Sequence, residues 1–347
     1  MKSKSLFKIL KSKGFKNIEL DNIIESKYVL KRSGGNFKQF LFSFYDRNLR
    51  EWSLVPDLSV SSVVKFIRNK INVKTKWYYT GEAYRKQNEN YNSPIINQTG
   101  FEIFASNNKF KDDKEIIQTS IEIFKQSNFK KAELNLSNIE IFYTLIDRLS
   151  LALRWKDRIK RHFCRKIYFN QLLKKLSNNS DIDPIVVKKD KKIAEKLRIQ
   201  NPNTIYSGRT IKDILYRFDL KNYKEPRSES DKKNVKIIKD FLKISCPIER
   251  ASETLNKFFK KNKLNIFVSK DYFPISQNKQ KNIKIIFKTN INRSVEYYSG
   301  IVFNMTINAK GKKNILISGG RYDGLLKNLG SKKDMTAVGA ALNMNLL

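Results

Sequence analysis

The sequence predicts an α+β fold built on a mainly antiparallel sheet flanked by helices, with a helical insertion in its middle. Three observations carry this. Period-2 aromatic segments come in adjacent pairs joined by short polar turns at 76–105. From about Leu151 to Leu264 strand signals give way to period-3.6 apolar spacing. Sheet-like segments then resume at Asn282 and run nearly to the last residue. Strands and helices fall in blocks, so an alternating doubly wound sheet is not expected.

Taken in order, Leu6 to Lys13 reads as a helix stopped at Gly14, and Phe15 to Ile24 leans to strand or extended chain. Phe37 to Asp46 alternates, with Phe40, Phe42 and Phe44 on one side, and predicts a strand. Trp52 to Leu54 returns, Pro56 interrupts, and Val60, Val63, Val64 and Ile67 space a helix from Leu58 to Asn69. Lys76–Arg85 and Ile95–Ala105 predict one long hairpin, with Arg85 and Gln98 near its two ends. Asp112–Lys125 and Ile139–Leu149 predict helices around a strand at Ala132–Leu136. Six further helices are expected, the last two at Val235–Ile244 and Ile248–Lys261. Asn282–Phe287, Val295–Asn308 and Asn314–Ser318 predict strands, and Ala337–Met344 is a final apolar element rich in small residues. The tally is about seven strands. The expected organisation is a core in two parts, 1–150 and 265–347, around the insertion at 151–264.

Composition narrows the function. The 347 residues are 40% hydrophobic and 12% aromatic, which is enough for a packed core. No apolar run approaches the ~18 residues of a membrane span, and no apolar segment follows the N-terminal lysines as a secretion signal would require. Two cysteines and a single histidine nearly exclude a metal site of the His/Cys type and fit a reducing cytoplasm. The net charge of +37 admits two readings: affinity for polyanions, or a sequence-wide bias toward Lys, Asn and Ile. The scattered lysines and the lack of obvious stacking platforms make specific nucleic-acid binding unexpected.

Chemistry-bearing residues gather in five segments. Asp57 and Ser59 stand at a strand end, where Asp57 alternatively only caps the following helix. Arg85 suits a carboxylate or phosphate. Gln98 and Glu102 alternate onto one face with Gly100. Arg293, Tyr297 and Tyr298 form the fourth group. The fifth is Ser318 to Leu326, where paired glycines precede Arg321, Tyr322 and Asp323. That stretch reads either as a tight connection with an internal ion pair or as the floor of a small-molecule pocket. Together the five offer carboxylates, an amide, arginines and phenols, an inventory suited to a free amino acid.

The ordered motifs LVPDLS (54–59), YYTGEAYR (78–85), QTGFE (98–102), RSVEYYSGIVFN (293–304), SGGRYDGLL (318–326) and AVGAAL (337–342) resemble the catalytic core of histidyl-tRNA synthetase, a class II aminoacyl-tRNA synthetase fold. They resemble still more closely its paralogue, the regulatory subunit of short-form ATP phosphoribosyltransferase. The likeness runs from about Phe7 to the last residue and includes Trp155–Arg158, Arg161–Arg165 and Gly208–Thr210. It implies a histidine-like pocket lined by Asp57, Ser59, Arg85, Gln98, Glu102, Arg293, Tyr297, Tyr298 and Tyr322. The departures separate the two. Val55 stands where the synthetases have arginine, the loop before Gln98 lacks their further arginine, and Asn343–Leu347 replaces their closing Gly-Leu-Glu-Arg. Adenylate formation needs cations on the phosphates, and Arg85 alone remains at a matching position. The resemblance therefore implies a non-catalytic regulatory subunit with no cofactor and no anticodon-binding domain. It would dimerise and assemble with the short catalytic subunit, act in the first step of histidine biosynthesis, and respond to free histidine. The alternative is a truncated synthetase relative with residual amino-acid activation or tRNA binding.

Overall fold

The structure is a computed structural model, which describes residues 3–33, 35–86, 93–178, 184–206, 209–222, 229–276, 281–291, 297–309 and 311–347. The chain forms two compact units. The first comprises Met1–Phe142, Lys243–Phe258 and Phe267–Leu347; the second comprises Tyr143–Leu242 and Phe259–Ile266.

The first unit is organised by one large sheet. In chain order its strands are β1 (Lys16–Asn17), β2 (Thr75–Tyr84), β3 (Ile95–Phe104), β4 (Ala132–Asn138), β5 (Ser245–Pro247), β6 (Ile283–Lys288), β7 (Ile301–Ala309), β8 (Lys312–Arg321) and β9 (Ala337–Asn343). Their order across the sheet is β1-β2-β3-β9-β8-β7-β4-β6-β5. Two neighbouring pairs, β1/β2 and β4/β6, are parallel and the rest are antiparallel. The fold is thus the expected α+β class, a mainly antiparallel sheet flanked by helices, with more strands than the seven tallied. Not read as strands were the three-residue β5 and the seven-residue β9, which the sequence marked only as an apolar element; Phe15–Ile24, which leaned to strand, holds the two-residue β1.

Helices cover both faces. On the upper face lies α2 (Leu58–Arg68), whose buried Leu58, Val60, Val63, Val64 and Phe66 form one core with Trp77, Tyr79, Phe104, Tyr322, Leu325 and Leu326. The spacing of these α2 residues is the apolar stripe of an amphipathic helix. On the lower face lie α1 (Ser3–Ser12) and α3 (Lys109–Lys125). Phe7 of α1 stacks on Tyr78 at 5.7 Å, and Lys76 pairs with Glu115 of α3 at 2.5 Å.

Two local expectations are corrected. Phe37–Asp46 is not one strand: residues Gly35–Phe40 form a 3₁₀ turn, and only Ser43–Tyr45 is extended, at the edge of a small three-stranded sheet. Alternation signals a strand when one side is buried, yet Phe42, Phe44 and Tyr45 are 38%, 45% and 63% exposed. Arg85 and Gln98 do not sit at opposite ends of the β2–β3 hairpin. Gly81 faces Gln98, Tyr84 faces Ile95, and the Arg85 amide donates to the Pro94 carbonyl, so both lie toward the loop end.

The second unit is helical, with helices at Leu153–His162, Lys166–Asn178, Pro184–Arg198, Ile211–Asn222 and Glu229–Phe241. Trp155, Ile159, Phe169, Leu172, Leu176, Ile238, Phe241 and Phe259 are buried in it. The last of these helices ends at Phe241, short of Ile244, because the chain then turns into β5. Lys243–Phe258, which the sequence division places in the insertion, belongs to the sheet-bearing unit. Among the described residues no helix is long and apolar enough to cross a membrane.

Candidate functional site

The register of the central strands builds a depression on the upper face. Gly320, Gly339 and Glu102 stand side by side in one row; Ser318, Ala341, Gly100 and Tyr79 stand in the next. Partnered residues of a sheet point to the same side, so small side chains here leave room above the sheet. A methyl on Gly100 would lie 2.3 Å from the Tyr79 ring, and one on Gly320 would lie 2.8 Å from the Tyr298 ring. The cavity over this floor is lined by Asp57, Ser59, Arg85, Gln98, Tyr297, Tyr298 and Tyr322 from the predicted set, together with Ser318, Gly339, Ala340 and Ala341.

Asp57 holds both of the roles left open by the sequence. Its Oδ1 caps α2 by accepting from the Ser59 amide at 3.0 Å, while its Oδ2 accepts from the Tyr297 hydroxyl at 3.3 Å. The Tyr297 ring lies 5.0 Å from that of Tyr298 and 5.4 Å from that of Tyr322, so three phenols form one wall. The Arg85 Nε donates to the Pro56 carbonyl, which places its guanidinium at the rim. Arg293 lies outside the described residues.

Glu102 points to the same upper side as the cavity but is not among the residues that line it. It is fully buried. Its Oε1 accepts from Ser59 Oγ at 2.8 Å and from the Tyr79 hydroxyl at 2.5 Å, and its Oε2 accepts from the Tyr322 hydroxyl. Burial raises its pKa to about 7 against the pull of these three donors. Burial first, and then the adjacent Glu102 charge, push both the Tyr79 and Tyr322 phenols well above their ordinary value.

Arg321 turns the other way. It is 2% exposed and donates to Asp113 at 2.6 and 2.9 Å, to Asp323 at 2.9 Å and to the Lys109 carbonyl at 2.9 Å. The stretch thus serves both faces: Ser318 and Tyr322 line the cavity, and its arginine closes an internal ion cluster on the lower face. Burial lifts the Asp113 pKa to about 6 despite the arginine beside it.

Four contributors were not singled out from the sequence. Tyr79 lies inside the YYTGEAYR stretch, and its place opposite Gly100 was the available signal. Gly339, Ala340 and Ala341 were read only as a small-residue element, and that smallness is what opens the cavity. Val55, at the position where the synthetases carry arginine, is fully buried in the apolar core around α2. Among the described lining residues Arg85 is the one cation. The lining thus sets one carboxylate, Asp57, against one guanidinium, Arg85, and one amide, Gln98. Among the described residues no group of side chains could hold a metal ion.

Comparison with known proteins bears on the fold and the family. An ATP phosphoribosyltransferase regulatory subunit from Allorhizobium ampelinum is 22% identical over 95% of this chain and 92% of its own. A histidine–tRNA ligase from Treponema denticola is 25% identical over 99% of this chain and 67% of its own. The crystal structure of an ATP phosphoribosyltransferase regulatory subunit/histidyl-tRNA synthetase from Bacillus halodurans superposes with a TM-score of 0.59 at 17% identity. That match covers 99% of this chain and 76% of the other. The model of the histidyl-tRNA synthetase family matches residues 2–347, and the chain belongs to that family.

Proposed function

We propose that this chain is the non-catalytic regulatory subunit of a short-form ATP phosphoribosyltransferase, needed for the first step of histidine biosynthesis and for its response to histidine. The observation that carries the reading is an asymmetry in the cavity. Groups that suit a free amino acid are gathered around it, namely Asp57, Gln98 and the three tyrosines. The nucleotide side has Arg85 as its one described cation, with an apolar Val55 buried where an arginine would reach a phosphate. Adenylate chemistry relies on several cations as charge builds on the phosphates, so the remaining set favours binding over turnover. The regulatory-subunit relative, matched over nearly its whole length, supports the same reading.

The partners follow from it: the short catalytic subunit, free histidine in the cavity, and a second copy of this chain, all in the cytoplasm. The exposed Phe44, Tyr45 and Leu49 beside the edge strand Ser43–Tyr45 support pairing of two copies through the small sheet. The deciding experiment is reconstitution. Phosphoribosyl transfer by the short catalytic subunit should rise when this chain is added, and histidine should lower the combined activity. Histidine-dependent pyrophosphate exchange into ATP by this chain alone would overturn the reading in favour of a truncated synthetase. That second reading draws on the likeness to the Treponema denticola ligase.

A further inference from the structure

The first unit carries a second and larger cavity, of about 470 Å³, on the flank of α3 away from the amino-acid pocket. Its walls come from three segments that are distant in the sequence. Phe110, Lys114 and Gln118 project from successive turns of α3 at the spacing that puts side chains on one helix face. Ile248, Glu249 and Ser252 come from the turn leading into the helix Ala251–Lys261. Lys270 and the run Phe273–Ser276 close the third side. This wall is tied to the second: the Ser252 hydroxyl donates to the Val268 carbonyl at 2.6 Å, and Asn256 holds the same residue through its amide and carbonyl at 2.9 and 3.0 Å. Phe273 is fixed from behind by its edge-on contact with Phe287 of β6 at 5.2 Å. The cavity is therefore framed by anchored elements.

Volume, shape and charge define an occupant. The volume falls within the ~300–1,000 Å³ typical of metabolite sites. Among the described lining residues the charged groups are two ammoniums, Lys114 and Lys270, against one carboxylate, Glu249, a net positive set. Phe110, Phe273 and Pro274 supply flat apolar surface, and Phe110 is 46% exposed, a large aromatic left open to water at the mouth. Lysines set beside aromatic faces take an anionic head group and a flat apolar body together.

The geometry points to a second ligand site in this cavity, for a small aromatic or heteroaromatic anion held by Lys114 and Lys270 and stacked against Phe110 and Phe273. It does not involve the amino-acid pocket and stands whether or not that pocket binds histidine.

The test is titration of the full chain with 8-anilinonaphthalene-1-sulfonate, an aromatic anion of this class, followed by fluorescence. Saturable binding at one site is expected. Lys114→Glu and Lys270→Glu, both at exposed positions, should each weaken it about tenfold, the scale of one charge-assisted hydrogen bond. Circular dichroism and the melting temperature should be unchanged in both. Asp57→Asn should leave the probe's affinity as it is. Benzoate and adenosine monophosphate serve as competitors, and whichever displaces the probe identifies a carboxylate or a phosphate head group. Probe affinity that is indifferent to both lysine substitutions, or displacement by neither competitor, overturns the assignment.

Discussion

Glu102 and Gly339 face each other across the β3–β9 ladder so closely that a methyl group on Gly339 would lie 1.3 Å from Glu102 Oε2. The carboxylate thus occupies the space that any side chain at 339 would need. Gly339→Ala is expected to push Glu102 off its three hydroxyl donors and to cost about 1–3 kcal/mol, the usual scale of overpacking a dense core. Chemical denaturation measures the loss. Binding of any ligand in the cavity above should weaken in parallel.

The buried carboxyl also sets a pH dependence. Glu102 has an ordinary value of 4.5 and is raised to about 7 in the folded chain, so between those values the native state keeps a proton that the unfolded chain releases. Stability from this group therefore falls as pH rises through that window, and the loss is complete above about 7. Asp113, raised from 3.8 to about 6, contributes in the same direction at slightly lower pH. Glu102→Gln removes the first contribution, on the order of 3 kcal/mol at 1.36 kcal/mol per pKa unit. The drop in unfolding free energy between pH 5 and pH 8 should be smaller in the variant than in the parent.

Asp57 separates ligand binding from folding. Asparagine caps helices as well as aspartate does, so Asp57→Asn should leave α2 and the melting temperature nearly unchanged. It removes the negative charge that faces the cavity beside Tyr297. Calorimetric titration with histidine should show affinity falling about tenfold or more, the scale of one hydrogen bond to a charged group.

Arg321 is expected to be structural. Replacing it by methionine leaves Asp113 buried without its partner, and breaking a buried pair from one side costs about 3–5 kcal/mol. Adding Asp113→Asn to the same chain should recover part of the loss, because the stranded charge goes with it. A double-mutant cycle by denaturation checks both.

How far the sequence could be read depended on the range of the information each feature needed. The β2–β3 hairpin was legible from its aromatic run, Trp77, Tyr78 and Tyr79, all buried because helices cover both faces, and α2 from Val60, Val63 and Val64 at helical spacing. Phe37–Asp46 misled because its aromatic residues alternate without a buried side. The parallel pairing of β6 with β4 was not legible, since its partner lies about 150 residues earlier and nothing local specifies direction. The candidate site was legible as a set of residue types carried by ordered motifs. Its internal arrangement was not. That the Glu102 carboxylate would lie over residue 339 and outside the cavity lining follows from the smallness of Gly339, a residue more than 200 positions away that becomes its neighbour only in the folded sheet.

Arg321 and Tyr322 are consecutive, yet they serve opposite sides of the sheet. The guanidinium grips the first turn of α3 below through Lys109 and Asp113, and the phenol above closes on Glu102. The end of β8 is in effect a seesaw with its pivot in the backbone. Whatever tilts the start of that helix reaches the cavity lined by Tyr322 through a single peptide unit, with no loop in between to absorb the motion.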